Sequence, residues 1–543
     1  MNALQLFDAG LVPAAFTAPV VQWLALSPLL VVFGAAVLGI ILEAFLPAGA
    51  RRPAQILVSL AALLGTLVAL ILRWQATGAG GAQAKATYLV QGELAEDPNT
   101  LALQGILVII GILVILVVAD RSNPVDGSFA AQPADRPGSS AEESSLAHGY
   151  QRTEMFPLIL FSLGGMMVFV AASSLLTLFI ALEVMSLPLY VLAAMSRRRR
   201  LLSQEAGFKY FLLGAFASGF FLMGMAMLYG YSGSVRLVDI MGSEVGMAHA
   251  GAGIPRMDWL LVVGFVMLLV GLLFKIGAVP FHAWTPDVYQ GAPSAITGFM
   301  AAGVKVAAFG AIIRVIFGAG FGMSWDLVIF LWAVAVLTML VGTFMGIVQG
   351  NVKRMLAYSS IAHAGFLLIG VLSGNQAGIS AIAFYLLTYG VATVGAFALV
   401  GIVREKDAEG NVMGEAGSLV RWAGLGVRHP VMAVSMVVFL LSFAGIPLTA
   451  GFMGKFLVFA AGVTGGAAGL VVVAIVSSAV TAFFYFRMIK IMFFDDVDKS
   501  TVVVSGDVLS KSVVVVSAVV TVVLGVFPGP VMDVLNNAAM LLP

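Results

Sequence analysis

Cysteine is absent from this chain. A disulfide framework, a thiolate-held iron–sulfur cluster and a cysteine nucleophile are therefore excluded. Histidine is scarce, with five in 543 residues, too few and too scattered for a multi-haem protein. Charge is scarce as well. Only 10% of residues are charged, against about 25% in soluble domains. A net charge of +1 gives no reason to expect a nucleic-acid partner. No Walker A loop or dinucleotide fingerprint occurs. Any electron chemistry associated with the chain belongs to a partner.

What is present is hydrophobic residue, 61% of the total. Apolar runs of about 20 residues recur along nearly the whole length, each long enough to cross a bilayer core of roughly 30 Å. The pattern predicts an all-α polytopic membrane protein. Continuous runs, without short alternating segments, exclude an outer-membrane barrel. Fourteen spans are expected, near 22–46, 54–73, 99–119, 154–171, 173–195, 203–230, 258–290, 293–317, 325–348, 353–373, 376–403, 430–461, 467–493 and 509–534. Residues 1–20 are broken by Asp8, Pro13 and Pro19, and lack the basic start of a cleavable signal peptide.

Basic residues orient the bundle. With the N-terminus outside, the inner loops carry Arg51–Arg52, Arg121, Arg197–Arg200, Lys353–Arg354, Arg404, Lys406, Arg421, Arg428, Arg487 and Lys490. The outer loops hold only Arg73, Lys85, Arg236, Arg256 and Arg314. This asymmetry follows the positive-inside rule and sets both termini on the outer side. The run "RRRR" at 197–200 reads as a topology signal at a helix end. Residues 120–153 are rich in Ser, Pro, Gly and charge, which predicts a mobile cytoplasmic linker with a solvated His148.

Against this apolar background the charges inside spans stand out. Lys209, Lys275, Lys305 and Lys455 fall in apolar runs, Glu183 lies in "LLTLFIALEVMSLPLYVL" and His363 in "SSIAHAGFLLIG". A charge at the bilayer centre costs about 3 kcal/mol or more, so such groups are usually paired, hydrated and functional. Snorkelling from a helix end is the competing explanation. It suits Lys209, and also Glu43 beside Arg51 and Arg52, but not Lys275, Lys305 or Lys455. For His363 a hydrogen-bonded core histidine competes with a functional one. Lysine and glutamate both change pKa on burial and on pairing, whereas arginine stays protonated. Lysines at the centre and arginines in the loops suit proton transfer better than static pairing.

Two spans carry breakers. "FKIGAVPFH" places Lys275 before Gly277 and Pro280, and "LLSFAGIPLTAGFMGKF" places Lys455 after Gly445 and Pro447. Unwound backbone at membrane depth is tolerated only where it lines protein or a wet cavity. Broken helices five spans apart predict two inverted five-helix repeats, spans 4–8 and 9–13. The expected organisation is an N-terminal three-helix segment (1–119), the linker (120–153), repeats at 154–317 and 325–493, and a C-terminal helix (494–543).

At "FKIGAVPFHAWTPDVYQGAPSAITGFMAAGVKVAAFGAIIR" the chain resembles the subunit N family of antiporter-like subunits of proton-translocating NADH:quinone oxidoreductase, respiratory complex I. "LEVMSLPLYVL", "EAGFKYFLLGAFASGFFLMG", "NVKRMLAYSSIAHAGFLLIG" and "GIPLTAGFMGKF" resemble that family in the same order, covering most of 154–493. The sister subunits M and L and the Mrp-type Na⁺/H⁺ antiporter subunits share the Lys and Pro–His–Trp pattern. They differ where this chain reads "TPDVYQGAP" (285–293), and subunit M has glutamate where Lys455 stands. The linker resembles actinobacterial versions.

The resemblance implies a membrane-arm subunit without a redox centre of its own. FMN, iron–sulfur clusters and quinone would belong to partner subunits. It implies a bacterial plasma-membrane location and membrane partners that include subunits M, K and J. It also implies a proton path through Glu183, Lys209, Lys275, Lys305, His363 and Lys455. In that path Lys275 pairs with Glu183, Lys305 bridges and Lys455 exchanges protons with the outer side.

Overall fold

The computed structural model describes residues 20–81, 84–120, 129, 139–147, 153–196, 200–242, 258–319, 324–406, 409–410, 412–503 and 508–542. The first nineteen residues, most of the linker with His148, and Arg256 lie outside them. Twelve described helices are long and apolar enough to cross a membrane; the shorter Met155–Ala171 and the paired halves Pro430–Ala444 and Ala450–Thr464 complete fourteen spans.

Spans one to three are Trp23–Phe45, Ala48–Thr77 and Pro98–Val118. Spans four to six are Met155–Ala171, Leu175–Ala193 and Arg200–Ser232. Span seven is split into Asp258–Ile276 and Trp284–Gly291. Spans eight to eleven are Ser294–Ala319, Ser324–Ile347, Val352–Leu372 and Gln376–Ile402. Span twelve is the pair of halves already named, followed by Ala468–Phe494 and Val508–Val526.

Local chemistry sets several of these ends. Asp97 caps span three by accepting from Thr100 N, with Pro98 in the first turn. Asn351 caps span ten by accepting from Lys353 N and Arg354 N, and Asn375 caps span eleven through Gly378 N. Gly445, at φ 81, closes the first half of span twelve in the left-handed conformation that suits glycine.

Spans eight, ten and eleven form the centre, with 94% of each apolar window buried; in spans one, two, six and fourteen the share is 33%, so those helices face outward. The lysine and histidine of the candidate path on spans eight and ten therefore lie deepest in the bundle. Span eight is not a uniform helix. It widens into π turns at Met300–Val304 and Val315–Ala319, on either side of Lys305–Arg314.

Two small sheets decorate the loops. β1 (Thr87–Leu89) and β2 (Leu94–Glu96) form a hairpin, and β3 (Val403–Lys406) pairs with both β4 (Val412–Glu415) and β5 (Thr501–Val503). These pairings test the number of crossings. Bridges Leu94–Ala172 and Ser174–Arg236 join loops that fourteen crossings put on one face, and Phe129–Ser196 and Asn351–Ser418 do so on the other. The first and last described segments share a face: Gln22 accepts from Val90 N, and Leu542 N donates to Asp97.

Three sequence expectations need correction. The last span ends at Val526, because Phe527 and Pro528 interrupt it before a separate helix, Gly529–Asn537. The linker is not wholly irregular, since Ser140–Ala147 is helical. Arg314 is no loop residue. It is fully buried, donating to Asp97 at 2.9 Å, Thr100 at 2.6 Å and the Leu542 carbonyl at 2.5 Å.

Candidate functional site

Asp258–Ile276 stops because Gly277 takes φ 72 and Pro280 follows, leaving residues 277–283 non-helical. Lys275 sits at this end, 3% exposed, and its ammonium donates to Ser186 Oγ at 2.7 Å. The rings of Tyr190, Tyr210 and Phe274 surround it at 5.6, 5.8 and 5.7 Å from their centroids. Such a cage offers a desolvated cation attraction without neutralising its charge.

Glu183 lies one turn before Ser186 on span five, half-buried, and accepts from Ser218 Oγ at 2.6 Å. It does not touch Lys275. The expected direct pair is replaced by two serine contacts, because Ser186 and not Glu183 occupies the position facing the ammonium.

Lys305 begins the helical segment after the first π turn of span eight and is 3% exposed. It donates to both the carbonyl and the hydroxyl of Ser360, each at 2.6 Å, and lies 4.8 Å above the Tyr389 ring. Since Ser360 belongs to span ten, Lys305 joins the two groups of five spans. One turn further along span ten, His363 is buried, with Nδ1 2.6 Å from Tyr385 OH and Nε2 3.3 Å from Tyr485 OH. Tyr485 also meets Ser359 at 2.5 Å. His363 is thus a fully partnered core histidine that also stands between two lysines. Both readings of it survive.

Lys455 is 4% exposed and reaches back across the break. It donates to the carbonyls of Phe443 at 2.8 Å and Ala444 at 3.1 Å, and to Ser478 Oγ at 2.8 Å. Those two carbonyls end the first half of span twelve, so the break itself supplies the acceptors. The negative end of that half-helix favours the cation further. His363 contacts the same Phe443 at a centroid distance of 5.7 Å, which completes the sequence Lys305, Ser360, His363, Phe443, Lys455.

Lys209 stands apart. It is 37% exposed and pairs with Glu205 and Asp287, each at 2.6 Å. Asp287 also accepts from Arg354 at 2.6 Å. Nearby, the buried Lys353 donates to the Ala292 carbonyl at 2.6 Å and to Glu415 at 3.0 Å. Burial pushes the Glu415 carboxyl up, but the Lys353 ammonium, Ser294 and the Arg404 charge together hold the group below the ordinary value of 4.5. Asp287, Lys353, Arg354 and Glu415 were not singled out as site residues, since loop charges ordinarily report topology. The serines and tyrosines were missed because such residues are common in membrane helices. The Asp in "TPDVYQGAP", seven residues after Pro280 of the break, was the available signal.

A bundle of fourteen spans with two broken helices and a line of buried lysines defines an antiporter-like membrane protein. The chain belongs to the NADH:quinone oxidoreductase/Mrp antiporter transmembrane family, whose pattern matches residues 172–481. It is 55% identical over 532 residues to NADH-quinone oxidoreductase subunit N of Beutenbergia cavernae, covering 96% of this chain and 99% of that protein. It is 48% identical over 543 residues to the subunit N of Mycobacterium tuberculosis, covering 97% and 99%. Its fold is similar to a chain of respiratory complex I from Thermus thermophilus with bound aureothin, at TM-score 0.73 and 32% identity over 94% of this chain and 100% of that one. A chain of the Mrp complex from a Dietzia species has TM-score 0.75 at 20% identity, covering 95% and 97%, and shares the fold alone.

Proposed function

We propose that this chain is a membrane-arm subunit of a NADH:quinone oxidoreductase and moves protons along its buried line, driven by redox chemistry in other subunits. Full-length similarity to subunit N proteins supports the assignment to that enzyme. The observation that carries proton movement is the set of three deeply buried lysines, each met by hydroxyls or carbonyls and none by a carboxylate within 4 Å among the described residues. A lysine solvated by neutral groups loses less on giving up its proton than one locked to a carboxylate. Lys275 is the proton-holding group on the side of Glu183, Lys305 the bridge, His363 and its tyrosines the relay, and Lys455 the group that exchanges with the face bearing the termini. Lys209 acts at the opposite mouth.

FMN, iron–sulfur clusters and quinone belong to partner subunits in this reading, and subunits M, K and J are its membrane neighbours. The chain lies in the bacterial plasma membrane with both termini outward. A stand-alone Na⁺/H⁺ antiporter is the alternative, supported by the shared family pattern and by fold similarity at 20% identity.

Lys275→Ala in the assembled enzyme tests the reading through proton uptake and NADH:quinone turnover in inverted vesicles. Both are expected to fall together, by roughly a hundredfold if Lys275 transfers protons as a general acid and base. Glu183→Gln should act in the same direction more weakly. Assembled mutants that pump at the full rate would make both residues structural.

A further inference from the structure

The second half of span seven, Trp284–Gly291, is a short helix whose connection to the first half is the unwound stretch 277–283. Something must hold it against its neighbours. Its polar fastening comes from two adjacent residues at the start of span ten. Arg354 donates to Asp287 in the middle of the half-helix at 2.6 Å, and to Gln290 at 3.0 Å. Lys353 donates to the carbonyl of Ala292 just beyond it at 2.6 Å. Lys209 of span six takes the other oxygen of Asp287, also at 2.6 Å. Among the described residues, Asp287 is therefore the single carboxylate that ties spans six, seven and ten together.

What the half-helix covers gives this tie a consequence. Trp284 stacks on Tyr210 at 4.7 Å with an interplanar angle of 12° and donates to the Phe274 carbonyl at 2.9 Å. Tyr210 and Phe274 are two of the rings around Lys275. Under the same lid lie buried hydroxyls with no partner, those of Tyr190, Tyr210 and Thr285. Buried polar atoms left unpaired cost about 1–3 kcal/mol each, and admission of water relieves that cost. Span ten, at the other end of the tie, carries Ser360 and His363, the partners of Lys305 and the tyrosines.

We propose that Asp287 is a positioning residue that holds Trp284–Gly291 as a lid over Lys275. Release of Lys209 or Arg354 from Asp287 lets the half-helix lift and admits water to the Lys275 cage. The lid's charged fastening and the lysine–histidine line share span ten, so the lid is tied to both groups of five spans. This inference rests on the proton-moving reading above, but its first readout does not.

The chain's lack of cysteine permits a clean test. Thr285→Cys places one thiol under the lid, at a position 2% exposed. In vesicles containing the assembled enzyme, a membrane-impermeant maleimide added to the face bearing Arg354 should label this chain slowly. Adding Asp287→Asn should speed labelling roughly fivefold, the scale expected when partly exposed ion pairs are lost and local opening increases. Asp287→Glu should restore slow labelling, and the pH dependence of pumping should shift in Asp287→Asn alone. Arg354→Gln, which removes one arm, should accelerate labelling less. Unchanged labelling in Asp287→Asn overturns the lid even if Lys275→Ala abolishes pumping. Loss of assembled enzyme in both Asp287→Asn and Arg354→Gln overturns it too, by assigning the cluster to folding alone.

Discussion

The two broken spans place a lysine on opposite sides of the same kind of interruption. Lys275 precedes Gly277 by two residues, stays on the first half, and is met by one serine hydroxyl from another span and three aromatic rings. Lys455 follows Gly445 by ten residues, stands on the second half, and is met by two backbone carbonyls of the first. Backbone carbonyls are fixed by the helix they end, whereas a serine hydroxyl rotates and can equally donate. Ser186 in fact also donates to the Leu182 carbonyl. The comparison teaches that a helix break can serve two ends. In span seven it frees a lid; in span twelve it builds a cation site.

The largest effect is expected from removing the cation that the second break was built around. Lys455→Met should lower proton pumping by roughly a hundredfold or more, within the range of lost acid–base groups. It should leave assembly intact, since methionine fills similar space and needs no solvation. Proton uptake measured beside the amount of assembled complex checks this. Normal pumping would remove Lys455 from the path.

A smaller and more discriminating effect compares the two serines. Ser186→Ala removes the one hydrogen-bond acceptor that Lys275 has among the described residues, while Ser478→Ala leaves Lys455 both carbonyls. A hydrogen bond to a charged group contributes about 1.5–3 kcal/mol to the charged state; with about half of that expressed in the rate, Ser186→Ala should cost up to about tenfold in pumping and Ser478→Ala about threefold or less. Equal losses from the two would erase the proposed difference between a rotating and a fixed support.

The smallest effect concerns a support that span seven has and span twelve lacks. Glu415 accepts from Ser294 N at 3.2 Å and from Lys353, just past the end of the lid helix. Its folded pKa is lowered from 4.5, so the stabilisation is complete above that value and is lost as pH falls through the folded one. Thermal unfolding of the enzyme should therefore lose a few degrees or less between neutral and acid pH through this group. Glu415→Gln should flatten that part of the profile. A profile identical in the variant would show that the carboxylate contributes nothing there.

The breaks themselves were legible because glycine and proline have few uses inside an apolar run. Depth was legible too: Lys275, Lys305 and Lys455 are buried at 3%, 3% and 4% exposure, as their distance from the span ends requires. Azimuth was not. A sequence locates Glu183 along span five but does not say which way it faces, and a three-residue offset handed Lys275 to Ser186. Span eight's π turns were equally invisible, because they leave the apolar pattern of "TGFMAAGVKVAAFGAIIR" intact. Charges near span ends divided badly between topology signals and parts of a network. Lys353, Arg354 and Arg314 look alike in sequence, yet all three are engaged by carboxylates in the fold.

The buried Arg314–Asp97 pair also bears on how the chain is made. Its outer cover is the backbone of Leu542, 228 residues after Arg314. At about 5–20 residues per second, ribosomes take roughly 10–45 s to cross that distance. Throughout that interval the guanidinium and carboxylate have each other, Thr100 and the Val170 carbonyl, but not Leu542. The pair is finished only when the last span has been inserted and its tail has folded back. Translation that has not reached Leu542 therefore leaves the ion pair without this carbonyl at the join between the first-made and middle helices.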